Sequence, residues 1–194
     1  MSGLAGRADM FGGAGGGGGG FKKKPHPSAL IESIAKNACE SADFGSSSIF
    51  AIKPLEWTEK LCEAMAGNTA LVSLDLSDCA LDDKCCDLLG AVLEADHKLE
   101  KLILNKNAIR DGGCAKLATS LARNITLREI ELFGQTGGRK WGEGCLVTWL
   151  EMYKTNFSII RVNWSTNSKN TVTLTKMLAR NMDINNKVKN GDSR

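Results

Sequence analysis

Metal binding is the first chemistry that the residue types suggest, because the 194-residue chain contains seven cysteines and two histidines. Cys85 and Cys86 are adjacent, but no cysteine pair has the C-x-x-C spacing of a zinc site, and only His26 and His97 could complete one. An odd set of cysteines without paired spacing is typical of a reducing compartment, where thiols pack as small apolar groups. We therefore expect neither a metal nor a cofactor.

Phosphate binding is the second possibility, suggested by the eight glycines within residues 12–20. A phosphate-cradling loop needs a strand before the glycines and a helix that begins at their end. Here Phe21 is followed by three lysines and Pro25, so the sequence offers neither element. We predict that residues 1–27 form a flexible tail, whose lysines are solvated or make a weak contact with an acidic partner.

Composition disfavours several other function classes. The net charge of +3 is too small to indicate a nucleic-acid partner. No run approaches the roughly 18 apolar residues of a membrane helix, and the opening MSGLAGRADMF lacks the apolar core of a signal peptide. No acid–base or nucleophile constellation occurs either. We expect a cytoplasmic, non-catalytic protein without nucleic-acid or membrane partners.

An internal repeat defines the elements that must position the remaining candidate residues. Three segments open L-x-x-[LI]-x-L at intervals of 28 residues: LVSLDLSDCAL from Leu71, LEKLILNKNAI from Leu99 and LREIELFGQTG from Leu127. A fourth, IIRVNW from Ile159, follows after 32 residues. The same period of 28 recurs between these segments, at Leu61, Leu89 and Leu117 and again at Met65, Leu93 and Leu121. This shared period predicts tandem strand–turn–helix units.

Units of this kind cannot bury their apolar faces alone, so they stack into a solenoid. We predict an α/β leucine-rich-repeat fold, a right-handed arc with parallel strands on its concave face and helices outside. The repeat domain should span residues 28–183, beginning with a cap helix started by Ser28, and residues 184–194 should form a basic tail. Leu74, Leu102 and Ile130 should be buried at equivalent positions of successive strands.

The repeat also explains polar motifs that could be mistaken for functional sites. Cys79 stands where Asn107 stands one unit later, so we interpret it as a structural turn residue rather than a nucleophile. Asn124 and Asn156 match the N-x-[ST] glycosylation pattern, but both are also the polar residues that end successive helices. We therefore expect structural roles for all four residues.

Side chains between the strand leucines face outward and form rows across the predicted strands. One row contains Lys101, Glu129 and Arg161, whose charges alternate. We interpret this row as a ladder of ion pairs satisfied within the protein. The alternative is a recognition surface, which the exposed aromatic Phe133 in another row favours.

The 32-residue unit suggests a binding loop, because insertions in a solenoid form loops at one edge. The four extra residues fall in QTGGRKWGEG, where Gly137 and Gly138 make the chain pliable. Arg139, Lys140 and Trp141 offer charge and an aromatic ring, which are typical of interface anchors. The sequence leaves open whether Trp141 contacts a partner or folds back over the following helix.

The C-terminal end is locally basic. From Arg161 onward there are seven basic residues and only two acidic ones. We predict that a protein partner contacts the edge formed by residues 137–141 and the segment after Thr173, with the basic residues Lys176, Arg180, Lys187 and Lys189. Basic charge steers association with an acidic partner; the alternative is that a terminal cap is charged for solubility.

Seven segments stand in an informative order: ALIESIAKN, WTEKLCEAMAGNTAL, LVSLDLSDCALDD, LEKLILNKNAIRDGG, LREIELFGQ, IIRVNW and TLTKMLARNMDINNKVK. The repeats resemble the ribonuclease-inhibitor class of leucine-rich repeats. The order of cap helix, 28-residue units, one longer unit and closing helix is similar to the C-terminal domain of tropomodulin and leiomodin. The likeness extends over about residues 28–189 and rests on the order and lengths of the units.

The resemblance implies a cytoskeleton-associated domain that binds the pointed end of actin filaments. That family's N-terminal half, with its tropomyosin-binding and actin-binding helices, has no counterpart in this sequence, so we do not expect tropomyosin binding. A structural or adaptor subunit of an unrelated complex is the alternative function. A third is a regulator that supplies Arg139 in trans to a GTPase, as some leucine-rich-repeat activators do.

Overall fold

The computed structural model describes residues 24–95, 98–137, 140–166 and 168–191. Within these ranges the helices are α1 (Pro27–Ala35), α2 (Ser48–Ile52), α3 (Pro54–Met65), α4 (Asp83–Ala95), α5 (Asp111–Leu121), α6 (Glu143–Thr155) and α7 (Thr171–Lys189). The strands are β1 (Ser41–Asp43), β2 (Ser73–Asp75), β3 (Lys101–Ile103), β4 (Glu129–Glu131) and β5 (Arg161–Asn163).

The strands form one open parallel sheet in the order β1-β2-β3-β4-β5. Its register places Leu74, Leu102 and Ile130 side by side, and all three side chains are fully buried, as predicted. From β2 onward each strand is followed by a helix, and successive helices α3 to α6 pack side by side. The α/β leucine-rich-repeat solenoid is therefore confirmed.

The helical half of each unit repeats as regularly as the strands do. The residues predicted to share the 28-residue period are all buried in one continuous core: Leu61, Leu89, Leu117, Met65, Leu93 and Leu121. Because strand and helix leucines meet in the same core, each unit depends on its neighbours for burial.

Asn107 forms the centre of a hydrogen-bond ladder that supports the turns after the strands. Its Nδ2 donates to the carbonyl oxygens of Leu76 (2.9 Å) and Leu104 (3.0 Å), while its Oδ1 accepts the N–H groups of Cys79 (3.0 Å) and Leu81 (3.1 Å). Cys79 is fully buried at the equivalent position of the preceding unit. Its interpretation as a structural turn residue is confirmed.

A second ladder joins the helix ends to the following strands. Asn124 accepts the N–H of Leu127 through Oδ1 (2.7 Å) and donates to the carbonyl of Leu93 (2.7 Å). Asn156 repeats the pattern, accepting the N–H of Ile159 (3.0 Å) and donating to the carbonyl of Leu121 (2.8 Å). Both amides are buried, so neither is accessible for glycosylation in the folded chain.

The first strand was not predicted, because it lacks the leucines that reveal the other strands. Ala42 pairs with Leu74, and Phe44 is buried two residues later at the position that leucine occupies in the next unit. The sheet therefore begins one unit earlier than the leucine pattern indicates.

Both ends of the domain also differ from the sequence prediction. α1 begins at Pro27 with His26 as its N-cap, whose Nδ1 accepts the N–H of Ser28 at 3.3 Å, so Ser28 lies in the first turn. At the other end α7 continues unbroken to Lys189, and the boundary predicted after residue 183 falls inside this helix. Among the described residues, no helix is both long and apolar enough to cross a membrane.

Candidate protein-binding surfaces

The sheet face opposite the helices carries the predicted ladder of charges. Lys101 Nζ lies 3.6 Å from Glu129 Oε2 and 3.5 Å from Glu131 Oε1, and Arg161 Nη1 lies 3.4 Å from Glu129 Oε2. The predicted pairing of Lys101, Glu129 and Arg161 is confirmed. Because each basic group already has an acidic neighbour, this row does not require an external partner for its charges.

Phe133, directly beyond this row, is a large side chain with 53% of its surface exposed. Its backbone is fixed, since its N–H donates to Asn105 Oδ1 at 2.8 Å. An aromatic ring on a fixed backbone loses little conformational entropy on binding, so Phe133 is suited to contact a partner.

The loop of the long unit is only partly available for binding. Lys140 is exposed, while Gly138 and Arg139 lie outside the described residues. Trp141 is fully buried, which corrects the interpretation of this residue as a surface anchor. Its backbone N–H donates to the carbonyl of Ser165 at 2.9 Å, beside an isolated bridge to Thr166. The indole therefore contributes its large apolar surface to the core.

The basic residues of α7 differ in their surroundings. Lys176 and Lys189 are exposed, and Lys187 is exposed but pairs with Asp183 at 2.7 Å. Arg180, by contrast, makes its contacts within the protein.

The Arg180 guanidinium ties α7 to the end of α6. Its Nη2 donates to the carbonyl oxygens of Tyr153 (2.6 Å) and Asn156 (3.2 Å), and its Cζ lies 4.4 Å from the centre of the Phe157 ring. These carbonyls belong to the end of α6, where intrahelical donors are lacking. The position of Arg180 is therefore fixed by structural hydrogen bonds, with its charge near the surface.

The predicted binding residues are distributed over two opposite edges of the sheet. Because the strands are parallel, the loops that follow them lie along one edge, which we call the strand-exit edge; Phe133, Lys140 and the start of α7 lie there. The chain returns to the strands along the opposite, strand-entry edge, where α7 ends with Lys187 and Lys189. Since 19 helical residues span roughly 27 Å, the structure does not bring these two groups together.

The strand-entry edge presents apolar residues that the repeat pattern does not single out. Ile125, Phe157 and Val188 have 74%, 48% and 71% of their surfaces exposed. Together with Ile184 they line a cavity of about 260 Å³. The sequence does contain a signal for two of them, since Ile125 and Phe157 each directly follow a helix-ending asparagine.

The cysteines do not form a reactive site. Six of the seven thiols are buried, and Cys39 is partly exposed. Burial raises the pKa of Cys62 and of Cys79 to about 12, so both thiols are protonated at neutral pH. Over the described ranges no three histidine, cysteine, aspartate or glutamate side chains are grouped so that they could hold a metal ion. The buried thiols therefore contribute to packing rather than to chemistry.

The chain is similar in sequence to the family described as Leucine Rich repeat, which matches residues 67–88 and 95–118. These residues include β2, the first half of α4, β3 and most of α5. No curated protein matches the chain in sequence.

Two solved structures share the fold over most of the chain. One, described as actin-binding site 2 of leiomodin-1, has a TM-score of 0.79 and 20% identity, covering 89% of this chain and 98% of that one. The other, the tropomodulin C-terminal domain of Caenorhabditis elegans, has a TM-score of 0.76 and 17% identity, covering 86% and 99%. The chain therefore has the leucine-rich-repeat fold of these domains, as the resemblance in segment order predicts.

Proposed function

We propose that this solenoid is a non-catalytic module that binds actin, acts at the pointed end of the filament and is associated with the cytoskeleton. The observation that carries the proposal is the likeness to a leiomodin-1 domain named for actin binding. This likeness extends over nearly the whole of that domain.

The proposed contact lies on the strand-exit edge and the first turns of α7. Lys140 and Lys176 are exposed there, and neither has a carboxylate partner within the described part of the chain. A lysine without an internal partner can pair with an acidic surface without breaking an existing ion pair. Phe133 adds an apolar contact on the same edge, and Arg139 adds a further charge next to Lys140 in sequence.

Sedimentation with actin filaments tests the proposal. We expect the chain to pellet with filaments in a saturable way, and the bound fraction to fall as salt screens the lysines. No association at tens of micromolar would contradict it. Slower elongation from pointed ends, measured with pyrene-labelled actin and blocked barbed ends, tests the finer claim about the end of the filament.

Charge-reversed variants locate the contact. Lys140→Glu combined with Lys176→Glu should weaken association several-fold, which is the size of effect expected when residues that contribute to an interface are changed. The matched control is Lys36→Glu with Lys84→Glu, which makes the same change of net charge at an exposed position directly after α1 and at another in α4. If Lys101→Glu on the sheet face weakens binding and the double variant of Lys140 and Lys176 does not, the proposed edge is wrong.

Affinity purification from cells separates this function from the alternative. Recovery of actin with the wild-type chain supports the cytoskeletal module. A defined complex without actin would instead identify the chain as an adaptor subunit of another assembly.

A further inference from the structure

The strand-entry edge carries an apolar surface that the proposed contact does not use. Ile125 lies in the loop after α5, Phe157 lies in the loop after α6, and Val188 lies in the last turn of α7, yet all three line one cavity. Each is about half exposed or more. Large apolar side chains gathered from three elements and left open to solvent are typical of an interaction site.

This surface is formed before any partner binds. Arg180 lies over the Phe157 ring while donating to the carbonyl of Tyr153, so it holds the ring in place. Arg128 donates to Asn185 Oδ1 at 2.7 Å, which fixes the end of α7 against the loop after α5. A preformed site avoids much of the entropy cost of ordering on binding.

The charge around the cavity is positive. Arg128 lines the cavity and Arg180 lies over the ring of Phe157, and over the described ranges neither arginine forms an ion pair with a carboxylate. The neighbouring Lys187 and Arg123 are each neutralised, by Asp183 and by Glu94 respectively. Two guanidinium groups without a carboxylate partner in the described part of the chain therefore remain beside the apolar side chains.

We propose that the Ile125–Phe157–Val188 surface binds an acidic amphipathic helix of a partner protein. Such a helix would place one large aliphatic side chain in the cavity of about 260 Å³ and its carboxylates against Arg128 and Arg180. A second copy of this chain does not fit, because a symmetric contact would bring two patches of the same positive charge together. The surface is distinct from the strand-exit edge and does not depend on actin being the partner there.

A designed peptide probes this chemistry directly. In the fluorescein-labelled probe, leucines recur every third or fourth residue and glutamates fill the opposite helical face; in the control peptide, lysines replace the glutamates. Fluorescence anisotropy with the full chain should show saturable binding of the glutamate peptide and much weaker binding of the lysine peptide. Failure to bind the glutamate peptide, or equal binding of both peptides, overturns the proposal.

Paired variants assign the binding to this surface. Ile125→Asp with Val188→Asp should lower the affinity for the glutamate peptide by roughly tenfold or more. The control, Ile52→Asp with Val172→Asp, changes side chains of similar exposure on α2 and at the start of α7, and should leave the affinity within about twofold. Equal losses in the two variants overturn the proposal, as does a dimer of the wild-type chain that Ile125→Asp dissociates in sedimentation velocity. Loss of actin binding in the variant of Lys140 and Lys176, with peptide binding kept, would separate this site from the proposed actin contact.

Discussion

Replacing Asn107 by alanine should destabilise the fold more than any other single turn substitution we consider. The amide makes four buried hydrogen bonds to the backbone of two units, accepting from Cys79 and Leu81 and donating to Leu76 and Leu104. Alanine would leave two N–H groups and two carbonyl oxygens without this partner in the core. At about 1 kcal/mol net for each bond, the free energy of unfolding should fall by about 4 kcal/mol.

The same position one unit earlier provides the control. In Cys79→Ala only weak thiol bonds are lost, to the carbonyl of Phe44 at 3.2 Å and to that of Ser77 at 3.4 Å, so a loss of about 1 kcal/mol is expected. Urea unfolding followed by far-ultraviolet circular dichroism measures both variants. A loss below about 1 kcal/mol for Asn107→Ala, or equal losses for the two, would refute the ladder as the support of the turns.

Three further substitutions, a change of pH and an alkylation experiment test the packing. Leu102→Ala in the central strand should lower the free energy of unfolding by about 2–5 kcal/mol, and an unchanged thermal midpoint would show that the strand register is wrong. Gly113→Ala should cost about 1–3 kcal/mol, because the added Cβ would lie 2.9 Å from the Cα of the first residue of α4. Gly144→Ala meets no atom within 4 Å and should be neutral or stabilising by up to about 1 kcal/mol; the opposite order in thermal melts would contradict the packing. Burial raises the pKa of Cys62 to about 12, so the unfolded chain loses this proton first, near its ordinary pKa of about 8.5, and stability should decline as pH rises above that value. Urea midpoints that increase from neutral to alkaline pH would contradict this, and alkylation of the native chain should label Cys39 before the buried thiols.

The strand register and the core could be predicted from sequence because they depend on local spacing. Side chains alternate along a strand, and the 28-residue period brings equivalent leucines together, so Leu74, Leu102 and Ile130 could be placed without knowing anything beyond the chain. β1 could not be predicted in the same way, since Ala42 and Phe44 fill the core positions there in place of leucine.

The candidate surfaces depend on how distant segments pack together, which the spacing of residues along the chain does not show. Trp141 lies in a glycine-rich, charged segment, yet its ring is in the core because β5 and the following residues come back beside it. The basic residues of α7 are close in sequence, but the helix continues past residue 183, so Lys187 and Lys189 lie at the edge opposite to Lys176. The asparagines before Ile125 and Phe157 mark both as loop residues, but spacing does not show that these loops meet the end of α7 on one surface.

Hydrogen–deuterium exchange of the chain, alone and saturated with actin filaments, is the most direct test of the central claim that this solenoid binds actin through its C-terminal units. We expect slower exchange in residues 132–142 and in the first turns of α7, with the strands β1 to β3 unchanged. Unchanged exchange throughout the chain, or protection confined to β1 to β3, would contradict it.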